Sequence, residues 1–542
     1  MWCSVTRIGV APPVVERQEA DASRPADGTS DFPVGVWFVA AALAAFYPGL
    51  LYQSMLSVYA FRFQLYASMT AIVVAFTVAV VVALHYAAFR RDFRRSAGVA
   101  AVITLALFSW PQMTDLGEWI SDLSHIGLFT DAVPVLLVAA VMWVALRYAN
   151  RDRFVVILLA VLTAAFIVTG TNSPPRVDGG SESPAYVAAA GPSPTVVVLV
   201  LDGYARADVL RSLYDFDNSA FLDALAERGF RIRDDALTNY SVTHASLPSM
   251  LDMGYPFEAG VPLATQAEPM RRLLSGDGAM MHLFAGAGYE TVMFENAWSG
   301  SLCGGTPDRC HRTGLVGRSV WALGQMSPFA AIQSATVTNP FVAVSLQHIR
   351  ELGDAIKEDV PAPLFILAHA TIPHPPIQLS ATCDTAIASA RTAYLLSPVG
   401  SVEADWQEAR TRYVDQLQCV NAEVIESVDR LIAADEDVEI VIISDHGPDS
   451  QGQFLAEDGW SDAQLIERMA VLSAVRMSDD CDEPGPALTT VNTLRRAVAC
   501  ALGTDLIELP DRSFTAPPIG NINEPVLEVT DRLAWISGVS DR

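Results

Sequence analysis

The chain has 542 residues, enough for more than one domain, and combines a 51% apolar composition with a formal net charge of -26. An oily part and an acidic part must therefore occupy different stretches. The acidity argues against nucleic acid as a partner, because phosphate backbones gather Lys and Arg; no basic stripe, zinc-finger spacing or Gly-Lys-Ser/Thr phosphate loop occurs.

Residues 1–33 are polar and Pro-containing and read as a cytoplasmic tail rather than a signal peptide. The oily part is 34–171. Apolar runs near 34–53, 67–88, 97–112, 129–147 and 154–171 predict about five transmembrane helices, most close to the ~20 residues that cross ~30 Å of hydrocarbon. The third is short and interrupted by Trp110-Pro111. Arg90, Arg91, Arg94 and Arg95 follow the second run, and Arg147, Arg151 and Arg153 the fourth. The stretch between the third and fourth reads as a loop carrying Asp115, Glu118 and Asp122. By the positive-inside rule the N-terminus is cytoplasmic and the chain emerges outside after the fifth helix. That makes a multi-pass plasma (inner) membrane protein with an extracytoplasmic catalytic domain. Residues 172–194, with Pro174, Pro175, Gly179, Gly180, Pro192 and Pro194, read as a linker.

Residues 195–542 alternate strand and helix patterns. Buried-strand runs occupy 195–201, 290–294, 364–368 and 438–444, helical patterns occupy 206–228, 279–287 and 402–434, and a short strand covers 230–232. Such alternation predicts an α/β fold with a mainly parallel sheet covered by helices on both faces. Of seven cysteines, six fall here in near pairs, Cys303 with Cys310, Cys383 with Cys419 and Cys481 with Cys500, which favours disulfides in an exported domain.

Two strand runs end in chemistry. Thr195–Leu201 ends in Asp202-Gly203, and Ile440–Ser444 ends in Asp445-His446-Gly447. Open α/β sheets gather ligands at the carboxyl ends of their strands, so two acids and an imidazole delivered to one edge suit a divalent cation. Between them lies Thr238–Met250, rich in small hydroxyls just before a helix start, where free N–H groups favour an anionic ester. A hydroxyl is a weak nucleophile until a cation or base lowers its pKa. From the residues alone, Ser241, Thr243 and Ser246 all qualify.

With this order and spacing the chain resembles the alkaline phosphatase superfamily in its sulfatase-like branch. It is most similar to membrane-anchored phosphoethanolamine transferases and lipoteichoic acid synthases. Leu201-Asp202-Gly203-Tyr204-Ala205-Arg206-Ala207-Asp208 is similar to the transferases' Glu-Thr-Ala-Arg-Ala-Asp, with Asp for Glu. Their nucleophilic Thr stands five residues before a Pro, as Thr243 stands before Pro248, and their substrate-side His matches His374 in Ile372-Pro373-His374-Pro375. The resemblance implies one divalent cation, Zn²⁺ or Mn²⁺ rather than the all-oxygen Ca²⁺, held by Asp202, Asp445, His446 and Thr243. It also implies attack by Thr243 on a lipid phosphodiester, a phosphothreonine intermediate, and His374 at the leaving group. The implied partners are a membrane lipid donor and an envelope glycan or lipid acceptor. The chain departs from its relatives in lacking the Cys/Ser-x-Pro-x-Arg of sulfatases proper, a second Asp after Asp202, a Cys pair flanking the nucleophile, and any His beyond His446.

Two other readings stand beside transfer: hydrolysis of sulfate or phosphate esters on extracellular glycans, and a non-catalytic envelope scaffold. Arg206 and Asp208 are expected as a helix-start ion pair, Met280 and Met281 as core. His369 is expected as structural, His244 as a neighbour of the nucleophile, and Glu295 and Trp298 as pocket lining.

Overall fold

In the computed structural model the described residues are 34–55, 63–124, 128–148, parts of 151–164, 194–296, 303–356 apart from 313, 363–385, 403–450, 459–478, 489–518 and 522–536. The tail, nearly all of the linker, most of the fifth predicted span, Trp298 and Cys481 lie outside them.

The N-terminal part contains helices α1 (Val34–Met55), α2 (Phe63–Ala83, extended by a π-turn Leu84–Ala88), α3 (Phe93–Phe108), α4 (Trp110–Ser124) and α5 (Leu128–Tyr148). Small side chains let α1 and α3 approach: Ala40, Ala41 and Ala44 pack with Ala97 and Ala101 around Trp37. Among the described residues, Gly35–Tyr52 and Phe63–Ala88 are long and apolar enough to cross a membrane. The acidic stretch expected as a loop is instead α4. Pro111 falls in its first turn, where a proline's missing N–H removes no helical bond, so the chain restarts rather than ends there.

The second part is built on a seven-stranded sheet of β1 (Val196–Leu201), β2 (Arg231–Ile232), β3 (Glu290–Phe294), β4 (Arg309–His311), β5 (Leu364–Ala370), β6 (Glu439–Ser444) and β7 (Ser473–Arg476), in the order β2-β7-β6-β1-β5-β3-β4. The pairs from β6 to β4 are parallel, and β7 runs antiparallel to both neighbours. Every residue of β1, β5 and β6 is buried, as strands covered on both faces require. Alternation then assigns the layers. Val197, Leu199, Ile366, Ala368, Ile440 and Ile442 face a core shared with helices Pro340–Ala355 and Glu403–Ala434. Val196, Val198, Phe365, Leu367, Val441 and Ile443 face Thr243–Asp252, Ala279–Gly286 and Thr490–Leu502.

The single helix expected over 206–228 is two, Ala207–Tyr214 and Ser219–Glu227, parted by Asp215 in the left-handed region (φ 50°). Met280 and Met281 are core, as expected. A ribbon of β8 (Phe514–Thr515) and β9 (Leu527–Glu528) braces the segment before Thr243: Ser241 N donates to Phe514 O at 3.2 Å, and Ala516 N to Ser241 Oγ at 2.9 Å. Cys303 is bonded to Cys310 and Cys383 to Cys419. Cys500 is also disulfide-bonded.

Candidate metal centre and active site

Parallel register puts the chemistry together. Leu201 pairs with both Ala370 of β5 and Ser444 of β6, so the next residues, Asp202 and Asp445, emerge side by side at the carboxyl edge. Thr243 is the first residue of helix Thr243–Asp252, whose N-cap Val242 brings no side-chain acceptor, so the helix N-terminus is open towards the same edge. Thr238 Oγ1 and Ser246 Oγ donate to the Asp445 carbonyl at 2.5 and 2.6 Å and fasten this helix to the end of β6.

The four expected ligands meet. Thr243 Oγ1 lies 2.9 Å from His446 Nε2 and 3.4 Å from Asp202 Oδ2. His446 Nε2 is 3.5 Å from Asp202 Oδ1 and 3.4 Å from Asp445 Oδ2. His446 Nδ1 donates to Gly447 O at 2.9 Å, which leaves Nε2 with its lone pair turned inward. Asp445 Oδ1 is occupied, accepting from His446 N at 2.9 Å and Gly203 N at 3.3 Å.

Electrostatics sharpen the picture. Burial, then the Arg468 guanidinium, hold His446 well below the usual imidazole range, so it is neutral. Burial, and next the neighbouring Asp202 carboxylate, push Asp445 up to about 7. Burial would raise Asp202 too, but His374 and His369 oppose it and keep Asp202 below the usual carboxylate range. Asp202 Oδ1 and Asp445 Oδ2 are buried and accept no hydrogen bond. Two carboxylate oxygens, of Asp202 and Asp445, each lie about 3.5 Å from the His446 Nε2 lone pair, an arrangement that a cation between them would satisfy. Two acids, an imidazole and a hydroxyl suit Zn²⁺ or Mn²⁺. The residues present therefore fit a metal.

His374 stands over this cluster. Its N donates to Asp202 O at 2.9 Å, its Nδ1 donates to Pro375 O at 2.6 Å, and its ring lies 5.8 Å from that of His446. Gly203 makes the approach possible: its φ of 73° is left-handed, and a Cβ there would lie 3.2 Å from His374 Cβ. Gly447 is equally constrained, since an added Cβ would collide with the Glu467 carbonyl oxygen. Tyr413 OH donates to Gly203 O at 2.8 Å and holds the Asp202 turn from below.

The alternative hydroxyls are committed elsewhere, Ser241 to the Ala516 carbonyl just after β8 and Ser246 to the Asp445 carbonyl. His244 is turned away, donating from Nε2 to Pro517 O at 2.9 Å. Arg206 pairs with Asp208 at 2.7 Å, as expected at a helix start. Glu295 pairs with Arg318.

Three residues join the site without sequence warning. His369 reads as a core histidine in a buried strand, yet its Nε2 is 3.4 Å from Asp202 Oδ2. Asn296 Nδ2 donates to both His369 Nδ1 (2.7 Å) and His369 O (3.2 Å), which makes His369 Nε2, the nitrogen facing Asp202, the protonated one. Arg468 is buried, donating from Nε to Ser241 O at 2.5 Å, from Nη1 to Gly447 O at 2.8 Å and from Nη2 towards His446 Nε2 at 3.4 Å. It places its guanidinium beside the His446 ring that contacts Thr243.

A sulfatase family model matches residues 194–466. No curated protein matches the chain. Among solved structures, the integral membrane lipooligosaccharide phosphoethanolamine transferase A from Neisseria meningitidis is 12% identical, with a TM-score of 0.39 over 86% of this chain and 95% of its own. The C-terminal periplasmic domain of EcEptC from Escherichia coli is 13% identical, with a TM-score of 0.38 over 66% and 96%. A putative sulfatase from Bacteroides thetaiotaomicron is 14% identical, with a TM-score of 0.39 over 60% and 78%.

Proposed function

The chain belongs to the sulfatase family of the alkaline phosphatase superfamily, and from that membership we propose that it is a membrane-anchored, metal-dependent enzyme that moves a phospho-headgroup at the outer membrane surface through Thr243. The observation that carries this reading is the Thr243 hydroxyl, set at an open helix N-terminus 2.9 Å from a neutral His446 and beside two carboxylates that accept nothing else on their inner oxygens.

Asp202, Asp445, His446 and Thr243 would hold the metal, and the Lewis-acid stabilisation of charge building on the ester is what a bound divalent cation supplies. The chain's own residues do the rest. Thr243 Oγ1 is aimed by Asp202 and His446, and its proton has those two acceptors within reach. Arg468 and the helix N-terminus favour an anionic ester in front of Thr243. Attack of Oγ1 on phosphorus breaks the bond to the leaving oxygen and leaves a phosphothreonine. His374, with its Nδ1–H held by Pro375 O, gives an Nε2 proton to the departing oxygen when both ring nitrogens are protonated. The oxygen of an acceptor hydroxyl, or of water, then bonds to the phosphorus and gives its proton to His374, while the bond from Thr243 Oγ1 to phosphorus breaks and Oγ1 recovers its proton from Asp202 or His446. A lipid donor, a glycan or lipid acceptor, a cytoplasmic N-terminus and an extracytoplasmic catalytic domain belong to the same proposal. Phosphoryl chemistry is preferred to sulfate hydrolysis because position 243 carries Thr where sulfatases proper need a Cys or Ser convertible to formylglycine.

The test is the intact mass of the metal-loaded full chain after incubation with phospholipid vesicles. A phospho-headgroup adduct on wild type that is missing from Thr243→Ala is the expected result. Turnover near wild type in that variant would remove Thr243 from the mechanism. Ester hydrolysis without an adduct would favour a sulfatase-like hydrolase.

A further inference from the structure

Helices Leu315–Gln325 and Ala330–Thr336 form a short hairpin between β4 and the Pro340–Ala355 helix. From Thr313 to Val337 the sequence holds one charged residue, Arg318. That charge is turned inward, Arg318 Nη1 donating to Glu295 Oε1 at 3.0 Å with both side chains nearly buried. The outer surface of the hairpin thus carries no formal charge. It exposes Val316, Val320, Phe329, Ile332 and Val337, each between 49% and 65% accessible. Val316 and Val320 are one turn apart on the first helix, and Phe329 and Ile332 are one turn apart at the second.

The inner side of the hairpin identifies what lies outside it. Ala322, Leu323 and Met326 pack in one cluster with Tyr47 and Leu51 of α1 and with Leu65, Met69 and Val73 of α2. Those are the two helices long and apolar enough to cross a membrane, and α2 itself exposes Phe76, Val78 and Val82. A charge-free apolar surface continuous with a membrane-spanning surface suits lipid, whereas against water it would be an unexplained patch.

We infer that the 315–337 hairpin lies in the outer-leaflet interface beside α2 and seats the catalytic edge of the sheet at headgroup level. This rests on the membrane-anchored reading above and adds where the soluble part meets the bilayer. The seat is rigidly tied to the site. Glu295, which holds the hairpin through Arg318, is followed by Asn296, which holds His369, whose Nε2 lies 3.4 Å from Asp202 Oδ2. One residue step, Glu295 to Asn296, joins the Arg318 anchor of the hairpin to the contacts around Asp202.

Spin labels test this on the full chain in nanodiscs of phosphatidylethanolamine and phosphatidylglycerol. Cys3 is replaced by Ser, and one label at a time is placed by Val316→Cys, Val320→Cys, Ile332→Cys or, as a reference in α2, Val78→Cys. Accessibility to oxygen is compared with accessibility to a nickel chelate. The expected result is oxygen exceeding nickel at all four positions, with hairpin depths of roughly 5–10 Å. Oxygen-rich Val78 with nickel-rich hairpin positions would overturn the inference and leave the membrane anchor standing. Hairpin labels closed to both reagents would mean a protein cover, such as a second copy of the chain, and overturn it too. A nickel-rich Val78 would sink the membrane-anchored reading and this inference with it.

Discussion

Replacing Asp445 by Asn should stabilise the metal-free protein above neutral pH while removing its ability to be stabilised by a metal. One carboxylate oxygen of Asp202 and one of Asp445 lie within 4.8 Å of each other. Two unit charges at that distance repel by about 3.5 kcal/mol at an effective dielectric of about 20. Burial, with the Asp202 charge second, raises Asp445 from 3.8 to about 7, the direction that this repulsion demands. The sign follows from proton binding. Between about pH 4 and pH 7 the folded protein keeps the Asp445 proton that the unfolded chain has lost, so stability falls as pH rises through that window and stays low above it. Asn carries no charge to repel. Its Oδ1 can keep the bonds from Gly203 N and His446 N, and its amide can donate to Asp202 Oδ1. Allowing half for relaxation leaves about 2 kcal/mol, or roughly 4 °C in melting temperature. Thermal scans in chelator and in zinc, at about pH 7.5 and about pH 4, read all of it. The metal-free variant should melt higher than wild type at the upper pH and equal to it at the lower. The zinc-induced rise of wild type should be missing. A variant that zinc stabilises as strongly as wild type, or that melts lower without metal at the upper pH, would refute the argument.

Gly203→Ala places a Cβ in a left-handed backbone and 3.2 Å from His374 Cβ; kcat should drop roughly tenfold or more while metal content is retained, since displaced groups lose their alignment. Burial raises Glu439 to about 7 at the start of β6, so Glu439→Gln should stabilise by about 1–3 kcal/mol above pH 7 and change nothing below about pH 4.5, as read by denaturant titration at both values. Removing the Cys383–Cys419 bridge by a double Ser replacement opens a 36-residue loop and should destabilise by up to about 4 kcal/mol in a chelator-independent melt.

What the sequence disclosed and what it hid divide along physical lines. The ends of β1 and β6 were legible because a β-branched run stopped by an acid is a local signal, and the Thr243 helix start is equally local. His369 was hidden because its contact with Asp202 depends on the β1–β5 register, Val200 opposite His369, a pairing between residues 169 positions apart. Arg468 was hidden because β7 runs antiparallel to its neighbours, bringing the end of helix Asp462–Met469 back over the site. The stretch after Trp110 was misread because proline and acids look like a loop, whereas a proline in a first turn begins a helix.

The two hydroxyl bonds from Thr238 and Ser246 onto the Asp445 carbonyl have a bearing on engineering. They flank Thr243 on both sides, so Thr243 and Asp445 are displaced together when either segment moves. A graft of the Thr238–Met250 segment onto another scaffold would bring the reactive hydroxyl without its alignment unless the turn after β6 travelled with it. The transplantable unit is the pair of segments, although nearly two hundred residues of chain lie between them.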